Sequence, residues 1–399
     1  MKSGAVIRGG ARWQFGRPWG WMGRLGWSLI WVLVIGAADL SGRSVMLGTA
    51  QARWVAEQNA FLGEGASLEA SGHIPMPGGA VSAHASHLLF RLNDGEAALQ
   101  AYWFAGSRES GPDVQIVASD WQRSTRTWTP ARYVANRGAA GQELGFHIRR
   151  FGNPVAWQDA SGRTHLFVVA TGLGGWAASR ILQMRQDSDE ASFHSLRVLP
   201  LAWLWNLSHL VRSSPLPLAD GGMALPVYFE LGKKYPLVLR FDAAGQFRGV
   251  SRISRLPHRL QPTLVAQAPG RWLALMRDNG PGRRIHVAQT DDGGQSWVDR
   301  PDMVLANPDA AIAALAISPD RLFLAFNPRP DGRRELALIE SQGGHLWREV
   351  DRLTSESAEA EFSYPSLAWV EGRLWLSYTD QRESIAWRRY APKATQQGN

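Results

Sequence analysis

The chain has no cysteine in its 399 residues, which excludes disulfides, thiolate nucleophiles and cysteine-ligated metals. It has no Walker loop, no dinucleotide fingerprint after a strand and no His-Glu-x-x-His helix, so neither a cofactor nor a metal is expected. Long helical periodicity is absent beyond the N-terminal region. Residues 1–24 hold Lys2, Arg8, Arg12, Arg17 and Arg24 and no acidic residue. Those five account for most of the net charge of +8: removing them from 43 basic residues leaves 38 against 35 acidic, or +3. That balance is too small to call for a nucleic-acid partner.

An apolar stretch follows at once. Residues 25–38, LGWSLIWVLVIGAA, form an uncharged run of about 14 residues, where a membrane span needs about 20. A basic lead, a short apolar core and the small residues Gly36, Ala37 and Ala38 fit a secretory signal. The tryptophan-rich lead equally fits a retained anchor, with residues 25–39 in the inner membrane. Either reading sends the remaining chain across the membrane, to the periplasm or outside. Residues 40–72 read as a linker with a helical patch near 53–62.

From Ile74 the texture changes. Apolar runs of four to eight residues alternate with turn clusters such as Asn93-Asp94-Gly95, Asp159-Ala160-Ser161-Gly162, Asp220-Gly221-Gly222 and Glu371-Gly372. This is the pattern of an all-β chain with many short strands. The 19 tryptophans agree, and also suit a surface that meets carbohydrate. One turn stands out: TDDGGQSW at residues 290–297. Asp292 is placed to cap backbone N–H groups, Gly293 and Gly294 to take positive φ, and Trp297 to pack beneath the turn. It has decayed echoes at 340–347 and 119–128. Comparable turns about fifty residues apart are the spacing of β-propeller blades, and about six blades fit the length available.

These features resemble the Asp-box, or BNR repeat, of the sialidase superfamily, and in particular its bacterial "predicted neuraminidase" branch. The resemblance runs from about residue 75 to the C-terminus. It is carried by WFAGSRE at 103–109 with Asp113 beyond, Gly152-Asn153-Pro154, Asn206-Leu207-Ser208, LPVYFE at 225–230, Gln261-Pro262, Met276-Arg277-Asp278, Asn307-Pro308, Phe326-Asn327-Pro328 and FSYPSL at 362–367, then Tyr378-Thr379 and Arg382. It implies a six-bladed β-propeller over residues 73–392, preceded by the signal or anchor helix and followed by a tail at 393–399.

The resemblance also implies chemistry. Sialidases use a tyrosine nucleophile, because a carboxylate would be repelled by the substrate's own carboxylate. By resemblance Tyr364 is the nucleophile, Glu230 its activating partner and Asp113 the acid/base, with Glu109 a nearby rival. Arg277 corresponds to the second arginine of the carboxylate clamp and Arg334 to the third, with Arg333 one step away. Arg108, Tyr228 and Arg382 fall in the matching segments and join the substrate-binding set. The first arginine is missing: the stretch from Ser82 to Leu88 puts His84 in its place. Each assignment has a plainer alternative, among them a buried strand tyrosine for Tyr364, a turn cap for Asp113 and a solvated strand end for Arg334. The expected activity is an exo-glycosidase acting on a terminal sugar of a glycan, acidic sugars included. The alternative is a non-catalytic carbohydrate-binding or polysaccharide-assembly propeller at the cell envelope.

Overall fold

The computed structural model describes residues 21–42, 48–54, 65–91, 97–109, 111–188, 192–202, 205–342 and 346–393. Residues 1–20, the patch at 55–62, the turn at 93–95, the centre of the echo at 340–347 and the tail from 394 lie outside them.

Six antiparallel sheets follow one another along the chain and form a six-bladed β-propeller. The inner strands of blades I to VI begin at Ser82, Arg150, His209, Arg259, Ala313 and Phe362. Blade VI takes its outer strand from the other end of the chain. Ala66–His73 pairs with Ser384–Pro392, from Ala66 opposite Pro392 to His73 opposite Ala386. The expected linker therefore contains the strand that closes the ring. This closure leaves no open sheet edge between first and last blades.

The apolar runs of the sequence become the inner strands. Arg259–Ala266 and the central seven residues of Ser82–Phe90 and Arg150–Gln158 are buried on both faces, so they read as continuous rather than alternating. Outer strands such as Leu346–Thr354 are largely solvated and polar. Most described tryptophans are internal rather than sugar-facing. Trp103, Trp121, Trp128, Trp375 and Trp387 pack at the seam of blades I and VI. Truncating such a residue to Ala costs about 3–5 kcal/mol.

Residues 25–38 lie within a helix, Trp21–Gly42, whose side chains from Leu25 to Val34 are exposed. Among the described residues no helix is long and apolar enough to cross a membrane, so the retained anchor finds no support there. Residues 50–54 are extended. The amides of Ala52 and Arg53 donate to the carbonyls of Pro269 and Pro217, and the Trp54 indole donates to Ala266.

Candidate functional site

Strand direction sorts the loops into two ends. In every blade the second and third strands join at the end where the inner strand begins. Glu109 and Asp113 are on this connection in blade I, Glu230 in blade III, Arg333 and Arg334 in blade V, and Arg382 in blade VI; Arg277 is at its edge in blade IV. His84 and Tyr364 stand near the same end of their inner strands. The TDDGGQSW turn is at the opposite end. There Asp292 accepts from Thr290 Oγ1, Gln295 N and Ser296 N, and the Trp297 indole donates to the Gly294 carbonyl. It is a brace, remote from the candidate chemistry.

In every blade a non-glycine residue of positive φ stands near or just before the start of the inner strand at this end: Ala85 (56°), Asn153 (35°), Ser208 (59°), Gln261 (46°), Asp309 (61°) and Tyr364 (52°), with His258 (65°) a second in blade IV. In blades I, II, IV and VI the pairing register slips at that residue. A left-handed residue without glycine costs roughly 1–2 kcal/mol, and a bulge re-aims the side chain it carries. The four bulges lie at this one end of the propeller, and Ser208 and Asp309 take the same backbone conformation just ahead of their strands. Strained backbone of this kind concentrates at functional sites.

A chain of side chains links five blades around that mouth. Glu109 of blade I bonds Arg382 of blade VI, whose Nε also donates to Glu361 at 2.7 Å. Glu361 accepts from Arg333 at 3.0 Å, and Arg333 also donates to the Asp309 carbonyl at 2.9 Å. The Asp309 carboxylate accepts from Arg277 at 2.5 Å, Arg277 donates to Gln261 at 3.0 Å, and Gln261 donates to the Tyr228 hydroxyl at 3.1 Å. Burial would raise the Glu361 carboxyl, but the bonds from Arg382 and Ser363 outweigh it and hold it down at about 2. Burial likewise opposes the charge on Arg277, yet Tyr364 and Asp309 keep it firmly protonated.

Tyr364 stands inside this arc. Its ring lies 4.3 Å from the His84 ring, and the Arg212 guanidinium carbon is 5.1 Å from its centroid. Among the described residues neither the Tyr364 hydroxyl nor the Glu230 carboxylate is hydrogen-bonded. The buried Tyr228 is near both: burial first, then Glu230 and Tyr364, push its phenol far up. His84 is buried against Phe104 and Tyr364, and burial pushes it down to about 3, so it is a neutral ring.

The structure thus brings Tyr364, Glu230, Tyr228, Arg277, Arg333, Arg382, Glu109 and His84 to one mouth. Arg334 is turned aside toward Asp331 at 3.9 Å, so Arg333 is the member of that pair in the arc. Arg108 is exposed in the blade I loop. Asp113 caps that loop: Ser107 donates to it through its amide at 2.7 Å and its hydroxyl at 2.9 Å, and these bonds lower its carboxyl. A group held ionised in this way must lose those bonds and take up a proton before it can act as an acid.

Sequence reasoning missed Arg212, Glu361, Asp309 and Gln261. Their signal was weak but present. Gln261 and Asp309 occupy the ring position that Tyr364 occupies in blade VI, and Arg212 lies just downstream of the equivalent Ser208.

Residues 97–376 match the BNR repeat-like domain. The chain belongs to the BNR repeat-like family. Its sheets also superpose on solved propellers. The Hadza microbial sialidase Hz136 aligns at 16% identity and a TM-score of 0.65, over 79% of this chain and 66% of that one. Trypanosoma rangeli sialidase aligns at 13% identity and a TM-score of 0.62, over 82% of this chain and 60% of that one. A protein of unknown function from Dyadobacter fermentans aligns at 13% identity and a TM-score of 0.64, over 82% of this chain and the whole of that one. The chain spans less than two thirds of the length of either sialidase. No curated protein matches it in sequence. The BNR chain and these structures share the propeller architecture.

Proposed function

We propose that this BNR propeller is an exo-glycosidase working at the mouth of its axis, with Tyr364 as nucleophile. One observation carries the reading: the Tyr364 hydroxyl, unbonded among the described residues and carried on a positive-φ bulge, has the buried Arg212 beside its ring and the Arg277 cation within electrostatic reach. In the first step Tyr364 Oη attacks the anomeric carbon, its proton passes to Glu230, and the glycosidic C–O bond breaks. The leaving oxygen takes a proton from Asp113, once that carboxylate has released Ser107 and taken one up from solvent, or from Glu109 across the same loop. Water then attacks the tyrosyl-linked carbon, with that acid acting as base, and Glu230 returns the proton to the phenol. Two displacements retain anomeric configuration.

Arg277, Arg333 and Arg382 are each bonded to Asp309, Glu361 or Glu109. Those acids occupy the forks that a substrate carboxylate would need. With His84 neutral, the clamp differs from that implied for sialic acid, and a neutral or differently acidic terminal sugar suits it. The same saturation, together with the absence of a Glu230–Tyr364 bond among the described residues, favours a second reading: a propeller that binds glycans without cleaving them.

A screen of terminal glycosides, a sialoside included, against wild type and Tyr364→Phe separates the two. The enzyme reading expects hydrolysis by wild type and a loss of about 10³-fold or more in the variant. Hydrolysis indifferent to the change overturns Tyr364 as nucleophile. Binding without turnover by either protein leaves the binding module.

A further inference from the structure

Beside the axial mouth, between blades II and III, lies a hollow of about 480 Å³ lined by Arg180, Val198, Trp205, Asn206 and Leu207. Two features set it apart. Among the described residues the two most exposed tryptophans of the propeller are Trp205 at 54%, which lines the hollow, and Trp176 at 37%, four residues before its Arg180. The others are buried or half-buried. Trp176 is on the short 3-10 turn Gly175–Ala178 that leads directly into Arg180.

The wall of the hollow also adjoins the mouth along the chain. Leu207 precedes Ser208, the blade III member of the positive-φ ring, whose carbonyl accepts from the Glu230 amide at 3.0 Å. The Trp176 ring lies over Gly152, so closely that a Cβ there would meet it at 2.8 Å, and Gly152 precedes Asn153 of the same ring. The wall of the hollow and the anchorage of Glu230 are therefore neighbouring residues of one loop.

We propose that this hollow is a second sugar subsite, in which one pyranose ring of a glycan stacks on the Trp205 indole while the terminal sugar occupies the axial mouth. A pyranose shows C–H groups on one face and hydroxyls around its edge. An exposed indole meets the first, and an arginine beside it supplies donors to the second. Asn206 shapes the wall, its side chain being bonded to Leu199 and Leu201. Arg180 lies with its guanidinium carbon 4.9 Å from the centroid of Phe146, and no carboxylate pairs with it among the described residues. The substrate class that follows is an oligosaccharide of at least two sugars, not a simple monosaccharide glycoside. This deepens the glycan reading above and rests on it for the terminal sugar.

The test is calorimetric binding of the full chain to 3′-sialyllactose, a galacturonate trisaccharide and an alginate trisaccharide, each beside its terminal sugar as the methyl glycoside. Wild type, Trp205→Ala, Trp176→Ala and Tyr364→Phe are compared, with thermal melting as a fold control. The subsite predicts that Trp205→Ala weakens at least one trisaccharide by about tenfold or more, leaves its methyl glycoside unchanged and melts as wild type does. Trp176→Ala gives a smaller loss of the same kind. Equal weakening of both ligands, no change in either, or no trisaccharide binding by wild type overturns the subsite. Turnover of the same trisaccharides is followed in wild type and Tyr364→Phe alongside the binding. Failure of the enzyme reading thus appears as binding without turnover, and failure of the subsite as indifference to Trp205.

Discussion

Arg212 of blade III donates through Nη2 to the carbonyl of Pro365 in blade VI at 2.6 Å. Those blades face each other across the propeller, so this one side chain spans the axis. It is fully buried, and burial pulls its guanidinium down to about 10. No carboxylate pairs with it among the described residues. Its charge instead faces the Tyr364 ring from the floor of the mouth.

A buried cation without a carboxylate is costly, and an apolar side chain of similar length is often neutral or better for stability. Arg212→Met is therefore expected to change the unfolding free energy by no more than about 1 kcal/mol, the value of the hydrogen bond lost. Glycosidase activity, or glycan affinity if there is no turnover, should fall by about tenfold or more. Urea unfolding and the glycoside assay, run on the same preparations, check both. A variant that unfolds easily but keeps its activity would make Arg212 a structural pin.

Tyr364 bears the strain that the bulge requires. At φ 52° a Cβ is disfavoured and glycine is not. Tyr364→Gly should therefore be more stable than Tyr364→Ala by about 1 kcal/mol, although glycine usually weakens a strand by a similar amount. Both lose the ring that packs on His84. The difference between the two urea midpoints isolates the backbone contribution, and the opposite order would show that the positive φ is not retained in solution.

The sequence stated the repeat and the ends of the molecule more plainly than the site. The TDDGGQSW turn gave the register of blade IV, because its donors and acceptors lie within a few residues of one another. Tyr364 and Arg277 could be placed from that register and from family resemblance. Arg212 could not, since its partner is a backbone carbonyl 153 residues away that only ring closure brings near. The choice between Arg333 and Arg334 depended on a one-residue step in a loop, which no strand pattern fixes. That Asp113 also caps its loop through Ser107 was not legible, because a capping carboxylate and a catalytic one have the same spelling. The closing strand Ala66–His73 was hidden because it is polar, half-exposed and separated from its partner by the whole propeller.

Acid should weaken this fold through two histidines. Burial pushes both His84 and His87 down to about 3. Around His84, Glu361 favours the proton while Arg382, Arg333 and Arg212 oppose it; around His87, the Ala156 carbonyl favours it and Arg212 opposes it. The unfolded chain takes up these protons near pH 6.5 and the folded chain only near pH 3, so between those values the unfolded state binds more protons. Stability then falls as pH drops from 6.5, by about 1.4 kcal/mol per pH unit for each histidine. Glu361, held at about 2, contributes stability that is present above pH 4.5 and is lost as pH falls toward 2. His84→Phe keeps a ring against Phe104 and Tyr364 and removes one titrating group. Urea midpoints at pH 7, 6 and 5 should show its slope reduced by about 1.4 kcal/mol per unit relative to wild type. An unchanged slope would show that His84 is not the buried neutral group described.

The brace at residues 290–297 also seats the N-terminal segment. The Gly293 Cα faces the Ala50 backbone so closely that a Cβ would lie 2.0 Å from the Ala50 carbonyl oxygen, and its φ is +68°. Arg240 donates to the Gly293 carbonyl at 2.6 Å and also bonds the Gly48 carbonyl, tying turn and segment together. In Gly293→Ala the clash is with backbone on both sides, so the segment must move. Trypsin should then cut after Arg53 at least about tenfold faster than in wild type, because the hydrogen bond from the Arg53 amide to the Pro217 carbonyl that holds Arg53 in register is lost. Activity or glycan binding should remain within about twofold, since the turn is at the far end of the propeller from Tyr364. Asp292→Ala serves as the comparison. It removes the acceptor for Thr290, Gln295 and Ser296 but leaves room for Ala50, so it should lower the melting temperature without exposing Arg53. Equal cleavage in both variants would mean that the turn as a whole, rather than the close approach at Gly293, holds the segment.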